Sequence, residues 1–544
     1  MRDVAVIGSG HNALVAACYL ARAGLDVEVI ERDTVIGGAV STVERFPGYA
    51  VDRGSSAHIM IRHTGIVEEL DLAGHGLTYL DLDPWGYAPF PGSGTAITFH
   101  RDLARTCASI EQVAGPKDAD AYHRWATDWA DRNERVFAAF AGPPTPGRLG
   151  RALLGIGRRG VRTSVPGGEI ARQFLTSADH LLDEHFDDER LKAALAWMGA
   201  QAGPPPHEVA TADLVGWVPL LHRTPPARPV GGSGALTAAL ASRLGKDGGT
   251  IRLGDGASRI LTHDGQVTGV RTDSGDTVGA RTVLAGCHLL TTVALLADAL
   301  PAGTRQRITR SVRVGNGLGM AVRLGTTALP RYLGDGGNPD AYAGMQLICP
   351  DRRTMAAAYG DFLAGRPPAR PPALVMTFSA IDPSIAPPGR QNITIWGQWH
   401  PYELAGTTWD EAGRRAADAL IAAVETAAPG FSSTIEHVHI QTPRDIESEL
   451  GLLRGNVMHV EMGLDAMFAL RPLPELAGYR LPGLNGLYLT GASTHPGGGV
   501  SGASGRSAAG VILTDRRHAA RVPRTVTGTV SHMFAQVRKA RRSP

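Results

Sequence analysis

The chain has 544 residues, a length that predicts two domains rather than one simple core. Hydrophobic residues make up 43% and charged residues 19%, which is typical of a folded globular protein and excludes a disordered one. The net charge of +2 gives no reason to expect a nucleic acid as partner. The four cysteines contain no CxxC pair, which excludes a local dithiol centre or a zinc ribbon and is typical of a reducing cytoplasm.

The first motif in chain order is a glycine-rich turn after an apolar strand. The strand is predicted over 4–7, and GSGHNA follows at 8–13 in the GxGxxA form of a dinucleotide-binding loop. Gly8 permits the tight turn, Gly10 lets the backbone approach a pyrophosphate, and the small Ala13 lets the next helix pack closely on the strand. That helix would direct its N-terminal N–H groups at the phosphates. The alternative is a glycine-rich turn with a structural use only.

A second strand over 27–30 ends on an acidic residue. Glu31 lies 21 residues beyond Gly10, where a carboxylate accepts hydrogen bonds from ribose hydroxyls. Gly37 and Gly38 follow. In long FAD folds the chain passes the pyrophosphate again at this point, and plain NAD folds usually lack that element. The pair therefore favours FAD over NAD as the cofactor.

Features of a nucleotide-binding domain recur in three separated stretches, so this domain is predicted to be discontinuous. The second stretch begins with PVGGSG at 229–234 and continues through a helix and several strands, and the third begins with GLYLTGA at 486–492. The stretches between them are rich in helix-forming residues, Trp, His and Pro, and predict a substrate domain. The predicted limits are 1–84, 226–295 and 471–515 for the cofactor domain, 85–225 and 296–470 for the substrate domain, and 516–544 for a basic tail.

A second glycine-rich loop, HPGGGVSG at 495–502, leads into a helix of small residues over 503–513. Its three consecutive glycines would let the backbone lie flat against a planar ring. The N-terminus of the helix would then stabilise negative charge at the N1/O2 edge of a reduced flavin. The alternative is again a turn of structural use only.

Several segments resemble the phytoene desaturase-like branch of FAD-dependent oxidoreductases. They are residues 8–40, FPGYAVDRGSSAH at 46–58 and GLYLTGASTHPGGGVSGASGRSAAGVIL at 486–513. GHN after the first glycines, GGAV, WHPYELAGTTWDEA at 399–412 and the segment 447–474 are similar to the group around pyridine nucleotide-disulfide oxidoreductase domain-containing protein 2. The resemblance covers about residues 3–515. It implies an α/β (α+β) fold: a discontinuous FAD-binding Rossmann domain of the glutathione reductase type with an inserted mixed-sheet and helical substrate domain.

The resemblance also implies which residues bind FAD. They are Gly8, Gly10, His11 and Asn12 at the pyrophosphate, Glu31 with its neighbour Arg32 at the ribose, Gly37, Gly38 and Ala39 along the phosphates and ribityl chain, Ala257 at the adenine, Gly491 and Ala492 at the ribityl chain, and Gly499 and Val500 beside the isoalloxazine. Ala39 departs from the pattern, because many relatives have Arg or Lys after the glycine pair. That departure puts a basic contact at this position in doubt.

Desaturation needs a hydride acceptor, which FAD would supply at N5, and a general base for the proton. His495 is the first candidate because its loop would adjoin the flavin, and His58 and His400 come next. Glu461 and Asp465 flank a predicted strand-to-helix junction. A hydrogen-bonded structural role is the alternative for each of them. No histidine has metal-ligand spacing, so no metal site is predicted.

The leading function is an FAD-dependent oxidoreductase that desaturates or oxidises a hydrophobic small molecule such as a polyene, isoprenoid or natural-product intermediate. The apolar cleft would include Trp396, Trp399, Tyr402 and Met462, unless these are core residues. Electrons would pass to oxygen or a quinone-type acceptor, because the glycine cluster at 315–319 lacks the acidic residue of an NAD(P) domain. Two alternatives are a reduced-FAD-dependent polyene reductase or isomerase, and an interaction protein with structural FAD.

The location is expected to be the cytoplasm. The first strand begins near residue 3, which leaves no room for a cleaved signal, and no run of about 18 apolar residues is present. Two basic segments, 147–162 and 516–544, predict possible peripheral contact with an anionic membrane; the alternative is a solvated helix and a frayed tail. Only 4 of the 54 basic residues are lysine, which is typical of a GC-rich bacterial source.

Overall fold

The computed structural model of the chain describes residues 1–151, 167–334 and 338–521. The strands in chain order are β1 (Arg2–Ile7), β2 (Val27–Ile30), β3 (Thr42–Phe46), β4 (Tyr49–Asp52), β5 (Tyr79–Asp81), β6 (Gly86–Phe90), β7 (Thr95–Phe99), β8 (Ala227–Pro229), β9 (Thr250–Arg252), β10 (Ala257–His263), β11 (Gln266–Thr272), β12 (Thr277–Ala285), β13 (Gly319–Thr326), β14 (Met345–Ile348), β15 (Ala373–Met376), β16 (Gln391–Gln398), β17 (Ile435–Gln441) and β18 (Leu487–Leu489).

The helices complete the element order. They are α1 (His11–Arg22), α2 (Ile66–Glu69), α3 (Leu103–Ala114), α4 (Pro116–Phe140), α5 (Gly167–Leu175), α6 (Ala178–His185), α7 (Glu189–Ala200), α8 (Ala212–Gly216), α9 (Gly234–Lys246), α10 (Leu289–Leu296), α11 (Ala302–Ser311), α12 (Asp340–Ala343), α13 (Arg352–Leu363), α14 (Trp409–Ala427), α15 (Pro443–Leu450) and α16 (Ala503–Arg521). Along the described residues, no helix has the length and apolar character needed to cross a membrane.

The first sheet has a parallel centre with strand order β18-β12-β1-β2-β9. Its central strands β1 and β2 are apolar over most of their length, because both faces of a parallel sheet are covered. The long strand β12 changes partners along its length. It pairs antiparallel with β11 at its start and parallel with β1 and β18 at its end, which joins the β10–β11 hairpin to the parallel strands.

Helices cover both faces of this sheet. Apolar residues of α1, α9 and α16 form one core with the central strands, and residues of α10 and the β10–β11 hairpin form the other. Helix α16 approaches α1 closely at Gly505: a Cβ atom there would clash with the backbone carbonyl of Asn12 and lie 3.0 Å from the amide nitrogen of Ala16. The three-layer arrangement positions the N-terminus of α1 at the carboxyl edge of the parallel strands, where open α/β sheets bind their ligands.

The second sheet is mixed and has the strand order β17-β13-β16-β15-β14-β6-β7. Only the β14–β6 pair is parallel among its pairings. One face packs against the apolar side of α14 through Leu420, Val424 and their neighbours. The opposite face belongs to the cavity described below.

The α/β fold with a second mixed sheet confirms the predicted fold class. The first sheet takes its strands from 1–84, 226–295 and 471–515, and the second takes its strands from 85–225 and 296–470. The domain limits themselves stay a prediction. Most of the two segments for which membrane contact is predicted lies at 152–162 and 522–544, outside the described residues.

Candidate active site

A cavity of about 780 Å³ is lined by residues of both sheets. Its volume is in the range of sites that hold a small molecule or cofactor, which is roughly 300–1,000 Å³. One region of the lining comes from the carboxyl edge of the parallel strands and includes Gly8, Glu31 and Gly286. Another comes from the mixed sheet and includes Met345, Met376 and other apolar side chains. The cavity therefore joins a nucleotide-type site to a second, more apolar arm.

The lining includes all fourteen residues that the sequence predicts to bind FAD. They are Gly8, Gly10, His11, Asn12, Glu31, Arg32, Gly37, Gly38, Ala39, Ala257, Gly491, Ala492, Gly499 and Val500. Three separated parts of the chain thus contribute to one cavity. The contact of each residue with a particular part of FAD stays a prediction.

The turn between β1 and α1 leaves space for a phosphate group. Gly8 adopts φ +90°, which favours glycine, and its N–H donates to the carbonyl of Ile30 at 2.8 Å. A Cβ atom built on Gly10 would meet no atom within 4 Å. Helix α1 then begins at His11 without a side-chain cap, so its first N–H groups lack a side-chain acceptor at the cavity wall. Open space at a free helix N-terminus fits a bound pyrophosphate.

Glu31 holds this turn in place through its carboxylate. Oε2 accepts from the N–H of Ser9 at 2.7 Å and from its hydroxyl at 2.8 Å, and Oε1 accepts from the N–H of Asp33 at 2.9 Å. Ser9 Oγ in turn accepts from the N–H of Gly37 at 3.1 Å. A carboxylate has about four acceptor positions, so Glu31 retains capacity for a ribose hydroxyl.

The small residues around the turn are required by close packing. A Cβ atom on Gly286 would lie 2.7 Å from Cβ of Ala13 and 2.8 Å from the carbonyl oxygen of Ile7. Ala13 therefore lies close to the backbone at Gly286, and its predicted role in the packing of the helix stays a prediction. A Cβ atom on Gly37 would clash with the carbonyl of Val40, which shows that Gly37 serves the local chain path in addition to any contact with a phosphate.

Neutral histidines also line the cavity. Burial lowers the pKa of His11 to about 4 and that of His288 to about 4, and it lowers the pKa of His459 well below its usual value. The rings of His288 and His459 stack with centroids 5.3 Å apart. This pair was not predicted from the sequence. The position of His288 just after β12 was a usable signal, since ligands bind beyond the carboxyl ends of parallel strands.

The three histidines predicted to act as a general base do not line the cavity. His58 is buried, and its ring nitrogens bond the hydroxyls of Tyr79 and Ser233, both at 2.8 Å. His400 is buried and its Nδ1 bonds main-chain carbonyls. His495 is buried beside the rings of Phe140 and Phe468. All three rings lie outside the described cavity lining, so no contact in the structure supports their direct catalytic role, which stays a prediction.

Most of the other candidate residues also lie outside the cavity lining. Glu461 and Asp465 form ion pairs with Arg313, at 2.9 and 2.8 Å, among partly exposed side chains. Trp399, Tyr402 and Met462 lie outside the cavity lining, and only Trp396 of the four predicted cleft residues belongs to it. Within the three described ranges, no cluster of three or more metal-ligating side chains occurs.

The second arm of the cavity has a sheet face as its floor. Pairing places Arg323, Thr394, Met376 and Met345 side by side in one row across β13, β16, β15 and β14. Trp396 and Leu374 are opposite each other on β16 and β15, two residues further along. All six line the cavity, together with Met198 and Gln201 from α7 and the turn after it. Apart from Trp396, these residues belong to no local motif and were not predicted from the sequence.

This chain is similar to known proteins over almost its whole length. Residues 6–70 match the family model of the NAD(P)-binding Rossmann-like domain. The chain is 32% identical over 558 residues to pyridine nucleotide-disulfide oxidoreductase domain-containing protein 2 of Rattus norvegicus, covering 95% of this chain and 94% of that protein. It is 27% identical to phytoene dehydrogenase of Streptomyces griseus, covering 96% and 97%. A solved oxidoreductase structure from Methanosarcina mazei has the same fold, with a TM-score of 0.61, 17% identity and coverage of 94% and 100%.

Proposed function

The chain belongs to the family of pyridine nucleotide-disulfide oxidoreductase domain-containing protein 2 and is an FAD-dependent oxidoreductase, and from this we propose that it dehydrogenates a hydrophobic small molecule. The observation that carries the proposal is the sheet floor of the second arm. Met345, Met376, Leu374 and Trp396 provide an apolar surface in the same cavity as the predicted cofactor residues. The name of the phytoene dehydrogenase relative supports a hydrophobic substrate as well.

The residues of the chain have separate tasks in this proposal. FAD, when bound, supplies a hydride acceptor. The free N-terminus of α1 and the glycines at 37–38 hold its phosphates, and Glu31 fixes the phosphate-binding turn. The apolar floor orients the substrate and excludes water from it, which favours transfer of a hydride over side reactions. The side chains thus contribute position and exclusion of solvent.

We propose oxygen or a quinone as the acceptor of the electrons. Support comes from the glycine cluster at 315–319, which lies in the turn that leads into β13 of the mixed sheet. Gly315 and Gly317 have positive φ values of 78° and 89° there, as expected for a tight turn. The glycines of this cluster therefore form a tight turn next to the mixed sheet. The sequence contains no second dinucleotide motif that would bind NAD(P).

Anaerobic rapid mixing of the purified holoenzyme with candidate substrates tests the proposal. We expect hydrophobic donors to bleach the yellow colour of oxidised FAD, and hydrophilic donors with the same reactive group to leave it unchanged. Oxygen or a soluble quinone should then restore the colour. Turnover seen only after prior chemical reduction of the FAD would instead identify a reductase or isomerase and contradict the proposal.

A matched pair of variants tests whether the substrate contacts the floor of the second arm. Leu374→Asn places an amide on the floor and should slow bleaching, because it brings a polar group and water into the apolar arm. Leu363→Asn is the control, since Leu363 is 69% exposed at the end of α13. FAD content and thermal melting of both variants establish that they are folded. Equal bleaching rates in the two variants would show that the substrate does not contact this floor.

A further inference from the structure

Arg323 is a charged residue on the floor of the apolar arm. It lies in the middle of β13 with only 3% of its surface exposed, and it lines the cavity. In the row across the sheet its neighbours are Thr394 and then Met376. A buried arginine requires an explanation at this position, because guanidinium groups are rarely buried without a partner.

The hydrogen bonds of Arg323 leave part of its donor capacity unused. Nη1 donates to Oγ1 of Thr394 at 3.0 Å, and Nη2 donates to the carbonyl of Arg53 and to Oε1 of Gln441 at a long 3.4 Å each. Nε is buried and has no partner within the described part of the chain. A guanidinium group has five N–H donors in a planar fork, so a group with two oxygens can still bind here.

Among the residues that the structure describes, no carboxylate forms an ion pair with Arg323 alone. Asp52 and Glu449 are the two carboxylates that act on it, and each is already paired. Asp52 pairs with Arg228 at 2.6 Å, and Glu449 pairs with Arg45. Three arginines therefore face two carboxylates, which leaves one positive charge. Burial lowers the pKa of Arg323 to about 10, so the group remains protonated at neutral pH.

We propose that Arg323 binds the carboxylate of the substrate, so that the substrate class is a hydrophobic acid and not an uncharged hydrocarbon. This inference rests on the proposed function and specifies its substrate. The unused Nε donor and the unbalanced charge fit an anionic group with two oxygens, and the neighbouring Met376, Met345 and Trp396 fit an apolar body. The row across the sheet thus provides a charged end and an apolar floor for one amphipathic molecule.

A phosphate group of FAD has the same chemistry and is the other possible source of the anion. Ala39 has no charged side chain, although the family resemblance predicts an arginine or lysine at this position. Gly54 packs against Ala39, and the carbonyl of the adjacent Arg53 accepts from Arg323. The substrate is favoured because Arg323 shares its sheet face with the apolar floor, while the N-terminus of α1 and Gly38 already provide a site for the phosphates.

Calorimetric titration of the holoenzyme with octanoate and 1-octanol tests the proposal. The two probes share a chain and differ in the charged group. Hydrogen bonds to a charged group predict that octanoate binds at least about tenfold more tightly than octanol. In Arg323→Gln this ratio should fall to near one, with unchanged FAD content. Arg390→Gln is the control: Arg390 precedes β16 and pairs on the surface with Glu436, and the ratio should remain that of the wild type.

The apoprotein distinguishes the two sources of the anion. If Arg323→Gln weakens FAD binding to the apoprotein and leaves the probe ratio unchanged, Arg323 binds a phosphate and the inference is overturned. Equal affinities of the wild type for the two probes overturn it as well. A holoenzyme whose flavin no hydrophobic donor bleaches would contradict the proposed function instead. If Arg323→Gln does not fold, Arg323→Lys provides the test. The ratio of octanoate to octanol affinity should fall in this variant, because an ammonium group lacks the planar fork of a guanidinium. An unchanged ratio would contradict the inference.

Discussion

Gly10 marks an open space at the start of α1, and this space gives a residue-level prediction. Gly10→Trp places an indole where no protein atom lies within 4 Å of the added Cβ, so the fold is retained and the ring occupies the expected position of the pyrophosphate. We expect the variant to purify without FAD. The ratio of flavin to protein absorbance and the FAD affinity of the apoprotein measure the effect.

A second glycine provides the control for this change. Gly360 is an exposed residue of α13, and a Cβ atom there also meets nothing within 4 Å. Gly360→Trp should therefore bind FAD as the wild type does. A yellow Gly10→Trp protein with full FAD occupancy would show that the pyrophosphate lies elsewhere.

The residues that the sequence could predict are those whose position follows from a local motif. Glu31 and Gly10 belong to one strand–turn–helix–strand unit, so spacing alone brings them together. Arg323 reaches the cavity only through the pairing of β13 with β16, which involves residues about 70 positions away. His58 and His400 show the limit of such motifs, because nearness to a motif along the chain does not reveal that a ring is buried and hydrogen-bonded to other groups.

Substitution of two glycines of α16 distinguishes the effect of close helix packing on stability from the effect of helix propensity. Gly505→Ala adds a methyl group against the backbone of α1, and backbone cannot move aside as a flexible side chain can. Overpacking of this kind costs roughly 1–3 kcal/mol. Because the first turn of α1 contributes to the phosphate site, the variant should lose thermal stability and FAD affinity together.

Gly510→Ala is the matched change on the same helix. Gly510 is exposed and its added Cβ meets nothing within 4 Å. Alanine is a better helix former than glycine by roughly 1 kcal/mol, so this variant should be slightly more stable than the wild type with unchanged FAD affinity. Equal melting temperatures for the two variants would mean that α16 is not held against α1 as described.

Elements of the two sheets differed in how far the sequence could predict them. The parallel strands β1 and β2 are short apolar runs bounded by glycine and acidic residues, so their existence and pairing follow from pattern. The order of the mixed sheet does not, because β14 pairs with β6 from a distant part of the chain and the pairing depends on how α4 and α7 pack. Sequence pattern therefore predicted that a substrate domain exists but not which face would contain the cavity.

At the scale of the whole molecule, buried neutral histidines predict a loss of stability in mild acid. Burial lowers the pKa of His11, His288, His400 and His495 to about 4 and that of His58 to about 3. An unfolded histidine has a pKa of about 6.5, so between pH 6.5 and 4 the unfolded chain binds protons that the folded protein does not. The free energy of unfolding must therefore fall as the pH falls, by up to about 1.4 kcal/mol per pH unit for each histidine.

His288→Asn tests this linkage at one position. His288 caps α10 by accepting the N–H of Leu290 at 3.0 Å, and asparagine can make the same cap without titrating. Denaturant unfolding at several pH values with saturating FAD should show a shallower pH dependence than the wild type. His263→Asn is the control, because His263 is exposed on β10 and should leave the slope unchanged. A slope for His288→Asn equal to that of the wild type would contradict the prediction.

The assembly of one sheet from three distant segments also sets the order of events during synthesis. Strand β1 pairs with β12, and α1 packs against α16, which ends at Arg521. The ribosome adds roughly 5–20 residues per second, so about 25 to 100 s pass between the synthesis of α1 and that of α16. The part of the apolar face of α1 that packs against α16 is exposed throughout this interval. Binding of FAD therefore occurs only after almost the whole chain has been synthesised. A chaperone bound to the N-terminal segment would protect the protein most during that delay.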